Sequence, residues 1–167
     1  MSFLVRPIRA ADWREFREIR LRMLADTPIA YNETLAAASA LLDEEWMHRT
    51  ARNEEDGRVG FAAISDDGRW LGVMRGYRDA KLGPMLVGVF VDPSTRGTHA
   101  GVADALLDSV IGWAQKYGPI LSLYVHEDNS RAIAFYERRG FRATGATLPY
   151  NLPPFGRENE MRMRIDR

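Results

Sequence analysis

The chain has 167 residues, 46% of them hydrophobic and 28% charged, and its formal net charge is zero. That length and composition suit one globular domain spanning residues 1–167 and exclude a disordered chain, while the balanced charge disfavours nucleic acid or an acidic membrane surface as the partner. With no cysteine there is no disulfide, no thiolate metal site and no acyl-cysteine intermediate, which fits a reducing cytoplasm.

The opening residues carry charge early and no long apolar run, so neither a signal peptide nor a membrane span is expected. Residues 3–9 predict a short strand that Pro7 ends or confines to a sheet edge. Asp12 and Glu15 have capping-box spacing. Trp13, Phe16, Ile19 and Met23 follow at helical intervals, which predicts a helix over 13–25 that Thr27-Pro28 stops. Residues 29–41 fit either loop or short helix, and 43–53 a polar helix carrying Trp46. The period then changes. Residues 58–64 and 69–77 predict a hairpin about Asp66-Asp67-Gly68. The continuous apolar run 85–91 predicts a central buried strand.

A helix follows, with Val102, Leu106, Val110, Trp113 and Tyr117 on one face, and Gly118-Pro119 ends it. Residues 120–125 predict another strand, Asn129-Ser130 the cap of a helix over 131–139, and 159–165 a last alternating strand. Phe141 begins a further stretch between them. The alternation of strands and crossover helices in the second half predicts a mixed α/β sheet.

The turn between the apolar strand and the next helix runs from Arg96 to Ala103. Small residues at 97, 100, 101 and 103 let a ligand approach the backbone, and a helix start offers unpaired N–H groups and a positive dipole to an anion. Neither a Walker A nor a dinucleotide-binding spacing is present. A small-residue loop that only packs a helix on a sheet is the plainer alternative.

The stretches VFVDPSTRGTHAGVADALL and LSLYVHEDNSRAIAFYERRGF resemble the GNAT superfamily of N-acetyltransferases. Asn129, Ala132, Phe135-Tyr136-Glu137-Arg138 and Gly140-Phe141 fall at family positions. The N-terminal WREFREIRLRML and the closing EMRMRI resemble one branch of it. Counted from Arg96, the cofactor loop has His99 where the family has glycine. Counted back from Leu106 and Trp113, the loop is two residues longer than usual. Both registers put Gly101 at the helix start.

The resemblance implies a mixed sheet of six to seven strands with about four helices, and a CoA cleft where the fourth and fifth strands splay. It implies acetyl-CoA as cosubstrate, its pyrophosphate on Arg96, Gly97, Thr98, His99, Ala100, Gly101, Val102 and Ala103. The pantetheine arm would run along Val89, Phe90 and Val91, against Asn129, Ala132, Phe135 and Tyr136. Tyr136 is the implied general acid toward the departing sulfur. A thiol ionises near ~8.5 and a phenol near ~10, so complete proton transfer is uphill by only about 2 kcal/mol. A tyrosine packed by its ring alone is the plainer alternative, as a helix N-cap is for Asn129.

For the base that deprotonates the amine, Glu127, His126, Asp92 and Glu33 are candidates, with Glu127 carried forward as the catalytic choice and a water chain relayed by several groups as an equal alternative. The three histidines lack ligand spacing, so no metal site is expected. The four tryptophans suit the core or an interface. Tyr31 and Tyr150 suit either an acceptor pocket or a shield over the core. The acceptor, a small molecule or a protein N-terminus or lysine, would enter between residues 27–36 and 146–156. A homodimer fits the resemblance. Two rival readings remain, a non-catalytic CoA-binding module prompted by His99 and a transferase for a longer acyl-CoA.

Overall fold

The computed structural model describes residues 2–97 and 100–166. Strand β1 (Phe3–Pro7) leads into helix α1 (Trp13–Asp26). The expected Asp12–Glu15 box does not form. The Asp12 carboxylate instead accepts two N–H groups of Arg6, at 2.8 and 2.9 Å, and the Arg9 amide. A bidentate guanidinium outcompetes a single backbone cap for one carboxylate. The segment left open by the sequence contains a short helix α2 (Leu35–Ser39), capped by the Thr34 hydroxyl. Helix α3 (Asp43–Ala51) follows.

Next come β2 (Arg58–Ser65), β3 (Trp70–Asp79), β4 (Gly83–Val91), α4 (Val102–Ala114), β5 (Ile120–His126), α5 (Ser130–Arg139), β6 (Arg142–Pro149) and β7 (Arg157–Arg164). The strands form one sheet in the order β1-β2-β3-β4-β5-β7-β6. Every neighbouring pair is antiparallel except β4 and β5, which run parallel and are joined at the single pair Met85–Ser122. Beyond Met85 the two strands part. The expected mixed sheet, splayed at its fourth and fifth strands, is therefore present, with five α-helices among the described residues because α2 is additional.

Each sheet face buries its own core. On one, α4 presents Val102, Leu106, Val110 and Trp113 to Met74, Leu86, Leu121 and Leu123. Burying one side chain of this size contributes about 1.5–3 kcal/mol. Trp113 packs on the bare backbone of Gly76, where a Cβ would come within 2.6 Å of its ring. On the other face, Phe16, Ile19 and Met23 of α1 and Trp46 of α3 cover Val73 and Phe90. Three tryptophans, Trp46, Trp70 and Trp113, are buried in these cores, and Trp13 packs against the second.

The β3–β4 pairing carries a bulge. Val73 faces Phe90 but Arg75 faces Val87, so β4 spends one residue more than β3 over this step. Gly88, at φ +59°, takes up the irregularity. Bulges bend a strand and re-aim its groups. This one lies beside the point where β4 and β5 separate.

Candidate active site

A cavity of about 730 Å³ occupies the seam where β4 and β5 part. From β4 it is lined by Val89, Phe90 and Val91, from the following turn and α4 by Arg96, Gly97 and Ala103, and from the last helix by Asn129, Ala132, Phe135 and Tyr136. These residues of the expected cofactor set thus share one space. Ala100 and Gly101 do not line it. Gly101 instead starts α4 as its N-cap, at φ +70° and with no side-chain cap. The Val102 side chain turns fully into the core. Thr98 and His99 lie outside the described residues.

The first amides of α4 have no side-chain cap; the ladder begins with Ala105 N–H to Gly101 O at 3.0 Å. Unpaired N–H groups and the helix dipole favour an anion here. Arg96, Arg131 and Arg138 line the same cavity. Arg96 donates Nε to the Val91 carbonyl at 2.9 Å and pairs with Asp26, which also lies 3.8 Å from Arg131. One carboxylate shared by two guanidinium groups leaves positive charge available. The Asn129 side chain accepts the Ala132 amide, so the expected N-cap is present.

Tyr136 is 5% exposed, packed edge-on by Phe141 and tilted against Phe135. It lines the cavity, and its hydroxyl has no hydrogen-bond partner among the described residues. Burial holds its phenol well above the ordinary value, with a further rise from neighbouring Tyr31. The hydroxyl is therefore a protonated, unengaged donor. Tyr31 also lines the cavity and donates to the Val89 carbonyl at 2.8 Å.

The model of the acetyltransferase (GNAT) family matches residues 13–141, more than half of the chain. The chain belongs to that family. A peptidyl-lysine N-acetyltransferase, YjaB of Escherichia coli, is 33% identical over 95 residues, which is 57% of this chain and 49% of that protein. The chain thus spans about half the length of this relative. Among solved structures, yncA, a putative acetyltransferase from Salmonella typhimurium with acetyl-CoA, has a TM-score of 0.77 at 18% identity, covering 100% of this chain and 96% of that one. An N-acetyltransferase from Staphylococcus aureus reaches 0.79 at 18% identity, covering 99% and 100%. These likenesses show the GNAT fold across nearly the whole chain.

Within this GNAT domain the expected bases separate clearly. Glu127 is exposed, does not line the cavity, and accepts the Arg157 amide at 3.1 Å. It therefore serves the turn after β5. His126 is buried and lines the cavity, but both ring nitrogens are engaged. Nδ1 accepts the Asp128 amide at 3.0 Å and Nε2 meets the Phe155 carbonyl at 2.6 Å. These partners select the Nε2–H tautomer and leave no free lone pair.

Asp92 is held by Arg22 at 2.7 Å, Arg69 at 2.9 Å and Ser94, away from the cavity. Burial raises its pKa, but these partners outweigh that and hold it below the ordinary value. Glu33 is taken by Arg20 at 3.0 Å and Arg49 at 2.8 Å.

The carboxyl that does line the cavity is Glu158, which sequence reasoning missed. Burial raises its pKa above the ordinary carboxylate range, against a lowering by His126. Glu158 lies on β7 directly across from His126 on β5, a juxtaposition that strand pairing creates over a distance of 32 positions in the chain. The alternation of 157–164 puts Glu158 and Glu160 on one face, and that was the available signal. Tyr150, foreseen near an acceptor pocket, is buried. Its hydroxyl donates to the Pro28 carbonyl and accepts the Asn32 amide, which pins residues 28–32 over the cavity. No group of three or more metal-ligating side chains gathers among the described residues, and no described helix is long and apolar enough to cross a membrane.

Proposed function

We propose that the domain transfers an acetyl group from acetyl-CoA to a primary amine by direct attack, with Tyr136 as general acid and Glu158 as base. The observation that carries this reading is the unengaged Tyr136 hydroxyl inside the cavity at the β4–β5 seam. The fit to the donor rests on two further features. The uncapped start of α4 with Arg96, Arg131 and Arg138 suits a pyrophosphate, and the parted edge of β4 suits an extended amide-bearing arm. The Val89 and Val91 carbonyls already accept from Tyr31 and Arg96, and each oxygen keeps a second lone pair for a ligand amide.

Acetyl-CoA, when bound, supplies the thioester carbonyl and a thiol leaving group. The amine nitrogen forms the new C–N bond as the C–S bond breaks. Glu158 takes the proton that the nitrogen loses, and Tyr136 gives its hydroxyl proton to the sulfur. Proton return from Glu158 to Tyr136 through solvent closes the cycle, leaving an amide and a thiol. Burial raises the tyrosine's pKa, and the same dry surroundings raise that of a departing thiolate, so the roughly 2 kcal/mol gap between free phenol and thiol is a fair guide to the step.

The cavity wall lined by Tyr31, Asn32, Arg75 and Tyr77 suits the acceptor. YjaB is a peptidyl-lysine N-acetyltransferase by name, so a lysine side chain or other primary amine is the general acceptor class, and catalysis in a soluble compartment is in keeping with it. Tyr136→Phe tests the mechanism. The account expects kcat to fall about 10²- to 10⁴-fold while acetyl-CoA affinity holds. Unchanged turnover would remove Tyr136 from the chemistry.

A further inference from the structure

Arg75 stands at the middle of β3, directly after the apolar run Trp70–Met74 and before Gly76. Its side chain has no ion pair or hydrogen bond among the described residues. Burial, with repulsion from Arg20, Arg49, Arg52 and Arg58, pushes its pKa down to about 10. The nearest aromatic ring, Phe16 at 5.5 Å, offers a weak cation–π contact but no acceptor for its N–H groups. Gly88 makes room for the group, since a Cβ there would lie 2.8 Å from Arg75 Nε.

Arg75 lines two adjoining spaces. One is the cavity at the β4–β5 seam. The other is a side chamber of about 300 Å³ on the α1 face, lined by five arginines and a single carboxylate, Glu33. Glu33 is already shared by Arg20 and Arg49, and Arg20 still has a buried Nη1 without a partner. Arg20, Tyr31, Asn32, Arg75 and Tyr77 belong to both spaces. Tyr31 stands between them, its ring 5.2 Å from the Arg20 guanidinium and near enough to Tyr136 to affect its ionisation. None of the α4 or α5 residues that suit the donor's phosphates lines the side chamber.

Cations gathered without counter-charge are costly to bury, and a ligand anion relieves that cost. Resting on the acetyl-transfer reading above, we infer that the acceptor is a small amine carrying its own acid group, a carboxylate or phosphonate a few bonds from the nitrogen, seated on Arg75 with Arg20 and the chamber's rim. The acid end anchors in the side chamber and the amine projects past Tyr31 toward Tyr136. The same positive field disfavours the ammonium form, which helps present a nitrogen lone pair.

The test pairs amines that differ only in the acid. β-Alanine is set against β-alaninamide, L-alanine against L-alaninamide, and 2-aminoethylphosphonate against ethanolamine, reading CoA release with acetyl-CoA. At least one acid-bearing member is expected to exceed its neutral twin in kcat/KM by about 10- to 100-fold. Arg75→Gln is expected to collapse that ratio and Arg75→Lys to restore part of it. Arg52→Gln, on the exposed rim, gives a smaller loss and keeps the test open if Arg75→Gln fails to fold.

Calorimetric titration of 2-aminoethylphosphonate into the CoA-loaded protein separates this inference from the catalytic reading. Binding that Arg75→Gln weakens at least tenfold, without turnover of any amine, would uphold the anion site and sink the transferase. Neutral twins used as well as the acids would overturn the inference. Absence of both preference and anion binding would overturn it too.

Discussion

In the proposed mechanism Tyr136 and Glu158 divide the proton work according to their surroundings. Both are shifted upward by burial, but the consequence differs with the role. A tyrosine held above its ordinary value stays protonated throughout the working range and remains a donor. A carboxylate whose pKa is raised is a stronger base for being raised. Since only the carboxylate accepts a proton, kcat/KM is expected to rise with pH through the elevated Glu158 value. Glu158→Gln should move this limb to higher pH, where the amine loses its proton unaided, and lower the neutral-pH rate about 10²-fold. An unmoved limb at unchanged rate would exclude Glu158 as the base. Glu127, which the chain order recommends through its place after β5, faces outward and holds the Arg157 amide. One position along a turn decides which side of the molecule a side chain serves, and local sequence does not resolve that.

At the scale of elements, Asp92 ties the end of β4 to α1. Its carboxylate joins Arg22 of α1 to Arg69, just before β3, and to Ser94, just after β4, which fixes the strand where the cavity begins. Its pKa lies below the ordinary value. A carboxylate depressed on folding stabilises above its unfolded value and loses that contribution as pH falls through the folded one. Asp92→Ala should cost about 1–3 kcal/mol at neutral pH, and the difference from the parent should shrink below about pH 4, as thermal unfolding against pH would show. A constant difference would mean the carboxylate's charge is not the source.

The elements themselves were largely legible. Val102, Leu106, Val110 and Trp113 share a face in α4 as their spacing predicts, and the apolar run 85–91 lies within β4, at the centre of the sheet. The Asp12–Glu15 box was not legible, because Arg6 lies on another element and competes for Asp12 only after folding. Arg75 was visible as an arginine following an apolar run, but its lack of an ion-pair partner among the described residues appears only when the chamber is assembled.

For the molecule as a whole, one sheet holds two cores on opposite faces and one seam between them. At the seam, β4 and β5 meet at a single residue pair and then part. The separation creates a passage between faces, with the α4 start and its arginines toward one side and the Arg75 chamber toward the other. The layout suits a donor and an acceptor approaching from opposite sides, meeting beside Tyr136. The motif over 85–141 made much of the cavity lining readable from sequence, since those residues lie close together in the chain. The proposed acceptor side draws on α1, the loop at 27–33, β3 and β7, and no local pattern joins them.

The central claim is that the seam is an acyl-CoA site. The most direct measurement is the thermal midpoint of the full chain with acetyl-CoA, CoA and ATP in parallel. A ligand that binds only the folded state, at 100 times its dissociation constant, adds about 2.7 kcal/mol. For a domain of this size that raises the midpoint by roughly 5–11 °C. The account predicts such a rise with acetyl-CoA and CoA and little with ATP. No rise with either CoA species, or an equal one with ATP, would contradict it.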